Sequence, residues 1–172
     1  MNIFQINKSS APLVAKLMNE IKPDWWSFRG ALEQITATDV IGWYMAEMQE
    51  EPIGWMCIRR LDSYSCAELN GWGMNDDGNF HTDEKMSILY DYAERYAKET
   101  DLRNIRTTMT SLEMSCHGKP LGNYAEELIN LSSCGRKHYA YLISRGYQPA
   151  GFVPNCYGDK FHGIIMLKDL TQ

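Results

Sequence analysis

From residue 2 to residue 6, apolar and polar side chains alternate with the period of a half-buried strand. The spacing then changes. Leu13, Val14, Leu17, Met18 and Ile21 recur at intervals of three and four, which puts them on one face of a helix. Ser9 or Ser10 is placed to cap that helix, Pro12 suits its first turn, and Pro23 ends it. A second helix is expected over 25–35. Strand-like runs follow at 40–48, 53–61 and 66–74. The polar turn Gln49-Glu50-Glu51-Pro52 joins the first two, and Asp62-Ser63-Tyr64 precedes the third. A polar loop, 75–82, leads to the longest helical pattern, 83–100. There Met86, Leu89, Tyr90, Ala93, Tyr96 and Ala97 share one face and Asp91, Glu94, Arg95 and Lys98 the other.

A strand over 105–110 precedes residues 111–133, a long connection for one domain, with a capping pattern at Asn123 that starts a short helix reaching Leu131. Residues 137–145 form a helix closed by Gly146. The runs 147–157 and 161–168 make a hairpin around Gly158-Asp159. The order β-α-α-β-β-β-α-β-α-β-β predicts an α+β domain over 1–172. Its mixed, mostly antiparallel central sheet carries helices on both faces, and 111–133 is an insertion suited to a lid.

Composition narrows the function. Of 172 residues, 44% are hydrophobic and 23% charged, which excludes a disordered chain. The net charge of -5 argues against a nucleic-acid backbone binder. No basic segment leads into an apolar stretch at the start, and no run is long enough to span a membrane. Cys57, Cys66, Cys116, Cys134 and Cys156 are scattered and odd in number. They read as free thiols of a cytoplasmic protein, with no metal site. Five Trp and ten Tyr imply a broad aromatic core or a lined pocket. The final hairpin could also pair two copies into a homodimer.

Candidate chemistry is sparse. Cys134 and His138 are spaced to share a helix face, but two ligands are too few for a metal site. Cys116-His117 is no stronger. Arg136-Lys137-His138 is the clearest basic cluster, either a solvated face or an anion contact. Glu68, and less clearly Glu47, are carboxylates within strand-like runs, and the neighbours of Glu68, Ala67 and Leu69, point to the opposite face.

Four stretches carry a resemblance. They are Glu51-Pro52-Ile53-Gly54-Trp55, the helix segment from Leu89 to Lys98, Tyr141-Leu142-Ile143-Ser144-Arg145-Gly146-Tyr147, and Ile164-Ile165-Met166-Leu167-Lys168-Asp169-Leu170. In this order they resemble the GNAT acetyltransferase family. The resemblance implies transfer of an acetyl group from acetyl-CoA to a primary amine of a small molecule or peptide. It implies that the fourth and fifth strands splay apart around the pantetheine arm, which would meet the backbone at Trp72 and Met74 and the fifth strand as far as Thr110. The pyrophosphate would sit at the start of the long helix, with His81 and Lys85 as anion contacts. Glu68 would act as the base and Tyr141 as the acid, with Trp25 and Trp26 lining the acceptor pocket.

Four positions depart from the family pattern. Glu84 and Met86 stand where the phosphate loop carries glycines, and Asp83 and Glu84 answer the helix dipole themselves. Leu142 stands where many members place the acid Tyr, and Gly135 where an Asn is expected. Two readings follow: an acetyltransferase, or a non-catalytic or repurposed GNAT-fold module that binds another ligand or partner.

Overall fold

Asn7, Ser10 and Pro12 set the start of the first helix. Asn7 Oδ1 accepts from the N–H groups of Ser9 and Ser10, and Ser10 Oγ accepts from Asn7 N–H at 2.9 Å. Ser10 therefore occupies the capping position of α1 (Ala11–Ile21) without capping it. This computed structural model describes residues 1–47, 51–75 and 84–171. The chain forms two compact units, Met1–Arg103 and Asn104–Gln172.

In the first unit, α1 buries Ala11, Val14, Ala15, Leu17 and Met18, whereas Leu13, placed on the apolar stripe by spacing, is exposed. The second helix, α2 (Phe28–Ile35), is shorter than the 25–35 expected from sequence. Ser27 Oγ accepts from Gly30 N–H and caps it, while the Trp25 and Trp26 N–H groups close a turn on the Lys22 carbonyl. Strands β1 (Asn2–Gln5), β2 (Val40–Ala46), β3 (Pro52–Leu61) and β4 (Cys66–Met74) pair antiparallel in that order. A long helix, α3 (Glu84–Glu99), completes the unit.

Register decides what each face holds. Tyr44 pairs with Trp55, and Trp43 with Met56. Successive strand residues point to opposite faces, so Trp43 and Trp55 lie on opposite faces of the sheet. Trp55, Tyr44 and Cys57 pack in one core cluster with Val14, Leu17 and Met18 of α1 and Ala31 and Ile35 of α2. On the other face the Trp43 ring meets Tyr96 of α3 edge-on, centroids 5.4 Å apart. The ladder between β3 and β4 slips once. Cys57 faces Gly71 while Ile58 faces Leu69, so Asn70 is the extra residue of a bulge in β4.

Burial in this core pushes the Cys57 thiol up to about 12 from its ordinary 9.0. Unfolding frees the thiol to ionise at its ordinary value. The stabilising contribution is therefore full below pH 9.0 and is lost as pH rises from there towards 12. Denaturant midpoints measured across that alkaline window should fall, and Cys57→Ser should flatten the part of the slope that Cys57 causes.

In the second unit, β5 (Asn104–Thr110), β6 (Gln148–Gly158) and β7 (Phe161–Asp169) form an antiparallel sheet with β7 in the middle. Two helices, α4 (Tyr124–Ile129) and α5 (Lys137–Ser144), lie between β5 and β6 in sequence. Residues 111–133 are tied down at several points. Ser111 exchanges hydrogen bonds with the backbone of His162, and Met114 bridges Ser133. His162 is 1% exposed and held as one neutral tautomer. Its Nδ1 accepts from Asn155 N–H at 3.1 Å, so Nε2–H donates to the Lys119 carbonyl at 2.8 Å. The α+β class and the largely antiparallel strand pairing match the expectation from sequence.

Candidate functional site

The turn between α1 and α2 brings an unexpected residue to β4. Lys22 Nζ lies 4.6 Å from the Trp72 ring centroid and 5.6 Å from that of Trp25, and it donates to the Trp72 carbonyl at 3.4 Å. An ammonium over two indoles is held by their negative faces. Burial pushes the Lys22 pKa down. The contact joins Trp25, a candidate for the acceptor side, to Trp72, a candidate for the cofactor side. In the sequence Lys22 reads only as a cation at a helix end, where the dipole favours it, so periodicity gives no sign of this role. Trp25 and Trp26 part company: Trp25 is exposed, whereas Trp26 packs on the core cluster and its carbonyl accepts from Asn19 Nδ2.

Farther along β4, Gln34 of α2 donates to the Asn70 carbonyl. The carbonyls of Asn70 and Trp72, two residues apart, are thus both engaged by side chains from the α1–α2 segment. Glu68, half-buried, stands directly opposite Arg59, whose Nε is 2.9 Å from Asp39 Oδ2. Met74 is buried, with its thioether against Gly54 where a Cβ would otherwise stand, so its backbone is what it can offer a ligand. Near the start of α3, Lys85 pairs with Glu47 at 3.7 Å, and Glu84 is exposed. His81 and Asp83 lie outside the described residues.

In the second unit, Thr110 Oγ1 accepts from Arg136 Nη2 at 3.2 Å, and Arg136 Nη1 lies 3.6 Å from Glu113 Oε2. Arg136 is the capping residue of α5, and its own N–H donates to Ser133 Oγ. The basic cluster is therefore divided: Arg136 is bonded to Thr110, Lys137 is exposed and His138 is buried. Cys134 precedes α5, so it does not share a helix face with His138 as spacing suggested. Tyr141 is half-buried with the Arg145 guanidinium 5.9 Å from its ring centroid. Leu142 is fully buried, and an apolar side chain occupies the place of the expected phenol. Among the described residues no group of three or more His, Cys, Asp and Glu could hold a metal ion.

No protein-family model matches the chain, and no curated protein sequence does. Solved structures do. The aminoglycoside 6'-N-acetyltransferase from Enterococcus faecium superposes with a TM-score of 0.86 at 15% identity, covering 100% of this chain and 98% of its own. An aminoglycoside 6'-N-acetyltransferase complexed with coenzyme A gives 0.85 at 16% identity, with the same coverage. A protein from Desulfovibrio desulfuricans assigned to the GNAT acetyltransferases gives 0.67 at 9% identity, covering 99% of this chain and 100% of its own.

The chain has the GNAT fold. At these identities the architecture is what is shared. In GNAT terms, Glu68, Trp72 and Met74 lie on the fourth strand, Thr110 ends the fifth, and Lys85 lies in the first turn of the long helix. Tyr141 and Leu142 lie on the last GNAT helix, α5. No helix among the described residues is long and apolar enough to cross a membrane.

Proposed function

We propose that this GNAT-fold protein transfers an acetyl group from acetyl-CoA to a primary amine. The observation that carries the reading is the end-to-end superposition on acetyltransferases, one of them crystallised with coenzyme A. Acetyl-CoA supplies the thioester carbonyl that the amine attacks.

The chain's own groups fit that chemistry. N–H groups of the first turn of α3, together with Lys85, offer donors to a pyrophosphate. Glu84 is exposed, where water and salt screen its repulsion of an anion. Glu68 is the proposed base, taking the proton of the incoming ammonium directly or through one water. Trp25 and Trp26 are the proposed acceptor walls, and Thr110 with the β4 backbone at Trp72 and Met74 the proposed contacts of the donor. Tyr141 is the proposed acid, being the phenol next to the buried Leu142 on α5.

Calorimetric titration with acetyl-CoA tests the reading. Saturable binding is expected, with a rise in Tm that grows with donor concentration as mass action requires. Absence of binding at millimolar donor would sink it and leave the non-catalytic GNAT-fold module.

A further inference from the structure

The buried ring of His162 joins two segments far apart in sequence. Nδ1 accepts from Asn155 N–H on β6 at 3.1 Å, and Nε2–H donates to the Lys119 carbonyl, in the 111–133 insertion, at 2.8 Å. One neutral imidazole thus ties the tip of the final hairpin to the insertion. A second tie leans on the first. Gly118 N–H donates to the Lys160 carbonyl at 3.1 Å, and Lys160 N–H donates to Asn155 Oδ1 at 2.9 Å. Asn155 and Lys160 both stand at φ 55°, in the left-handed region. That conformation costs energy and persists where the surroundings hold it.

The tie suits one protonation state. A proton added at Nδ1 would meet Asn155 N–H, donor against donor. It would also put a charge on a residue that is 1% exposed. The titratable groups nearby are Cys156, Asp159 and Lys160 on the hairpin, His117 and Lys119 on the insertion, and Tyr124 and Glu127 on α4. Their carboxylates are engaged elsewhere. Glu127 Oε1 takes the Gly122 N–H at 3.4 Å, and the Asp159 side chain is 85% exposed, 3.9 Å from Lys160 Nζ. Lys119 and Lys160 oppose a further positive charge. The ring also lines a cavity of about 240 Å³ with Leu121, Tyr124 and Lys160, room for several waters to hydrate it once released.

We propose that His162 is an acid-operated latch: protonation of its ring detaches residues 117–122 from the hairpin turn while the base of the insertion stays closed. That base is held by Ser115 N–H on the Ser132 carbonyl and Cys134 N–H on the Glu113 carbonyl, neither of which involves His162. The latch does not rest on acetyl transfer.

The test follows the His162 ring ¹⁵N resonances and the amide protection factors by NMR from about pH 8 to about pH 5, the span in which histidine gains charge. At the alkaline end the two nitrogens should lie far apart in shift, as for a single neutral tautomer. In acid they should converge. Protection of the Asn155 and Gly118 amides should then fall about tenfold, the scale of one or two lost hydrogen bonds, while Ser115 and Cys134 keep theirs. His162→Gln supplies one acceptor and one donor without titrating, and should make Asn155 and Gly118 protection independent of pH. If that variant does not fold, the wild-type ring and amide titrations still decide. A ring that stays neutral to the acid end overturns the proposal, as does a ring that charges while Asn155 and Gly118 keep their protection. Simultaneous loss of Ser115 and Cys134 protection also overturns it, because the whole unit then unfolds and no latch opens.

Discussion

Replacing Gly73 with alanine is expected to destabilise the protein by about 3 kcal/mol, the upper end of the range for overpacking a filled core. A Cβ on Gly73 would stand 2.9 Å from Trp55 Cζ2 and closer still to Cζ3 and Cη2, all atoms of the benzene half of the indole. That ring is fully buried in the cluster with α1 and α2 and has nowhere to go. The measurement is urea unfolding followed by far-UV dichroism. Trp55→Phe removes the benzene half of the indole and should recover part of the loss. Gly54→Ala makes the internal comparison. The atoms it would strike belong mainly to the Met74 thioether, an unbranched chain that can rotate aside, so a cost nearer 1 kcal/mol is expected. Equal costs at the two glycines would contradict a rigid indole wedge against β4.

The second large effect is on rate. If Glu68 is the base, Glu68→Gln should lower kcat about a hundredfold or more, the usual contribution of a positioned proton acceptor. KM for acetyl-CoA should hardly move, and the limb of the pH–rate profile that reports the carboxylate should vanish. Stability should change by no more than about 1 kcal/mol, since the lost partner is one cross-strand charge opposite Arg59. A variant with wild-type kcat and an unchanged pH profile would remove Glu68 from the chemistry and leave it as the structural partner of that arginine.

The resemblance drawn from four short stretches and the element order reached the GNAT fold, because each stretch belongs to an element whose local pattern is strong. The long helix shows it: Met86, Leu89, Tyr90, Ala93 and Ala97 are all buried, as spacing required. The failures cluster where a local pattern competes with a contact made elsewhere. Trp25 and Trp26 read as the opening turn of a helix, but the Ser27 cap and the turn on Lys22 start α2 after them. Cys134 and His138 have the spacing of one helix face, but Cys134 lies before α5, which starts at Lys137.

The candidate site was legible only in part. Glu68, Trp72 and Tyr141 could be singled out because strand position and the family's order of motifs mark them. Lys22 and Gln34 could not, since a cation at a helix end and a polar residue on a surface helix are ordinary. Their bonds to the Trp72 and Asn70 carbonyls exist because α1 and α2 lie across the Trp55 face of the sheet.

What the sequence determined by itself is the set of elements and their order, since periodicity, caps and turn residues act over a few neighbours. The tertiary structure decided which face each strand residue took, and that follows from register. A single slip between Cys57 and Ile58 makes Asn70 the extra residue of the ladder, next to Gly71, Trp55 and Gln34. Side chains on a strand alternate with a period of two, so one added residue re-aims all that follow. That displacement arises from pairing between strands and cannot be read from either strand alone.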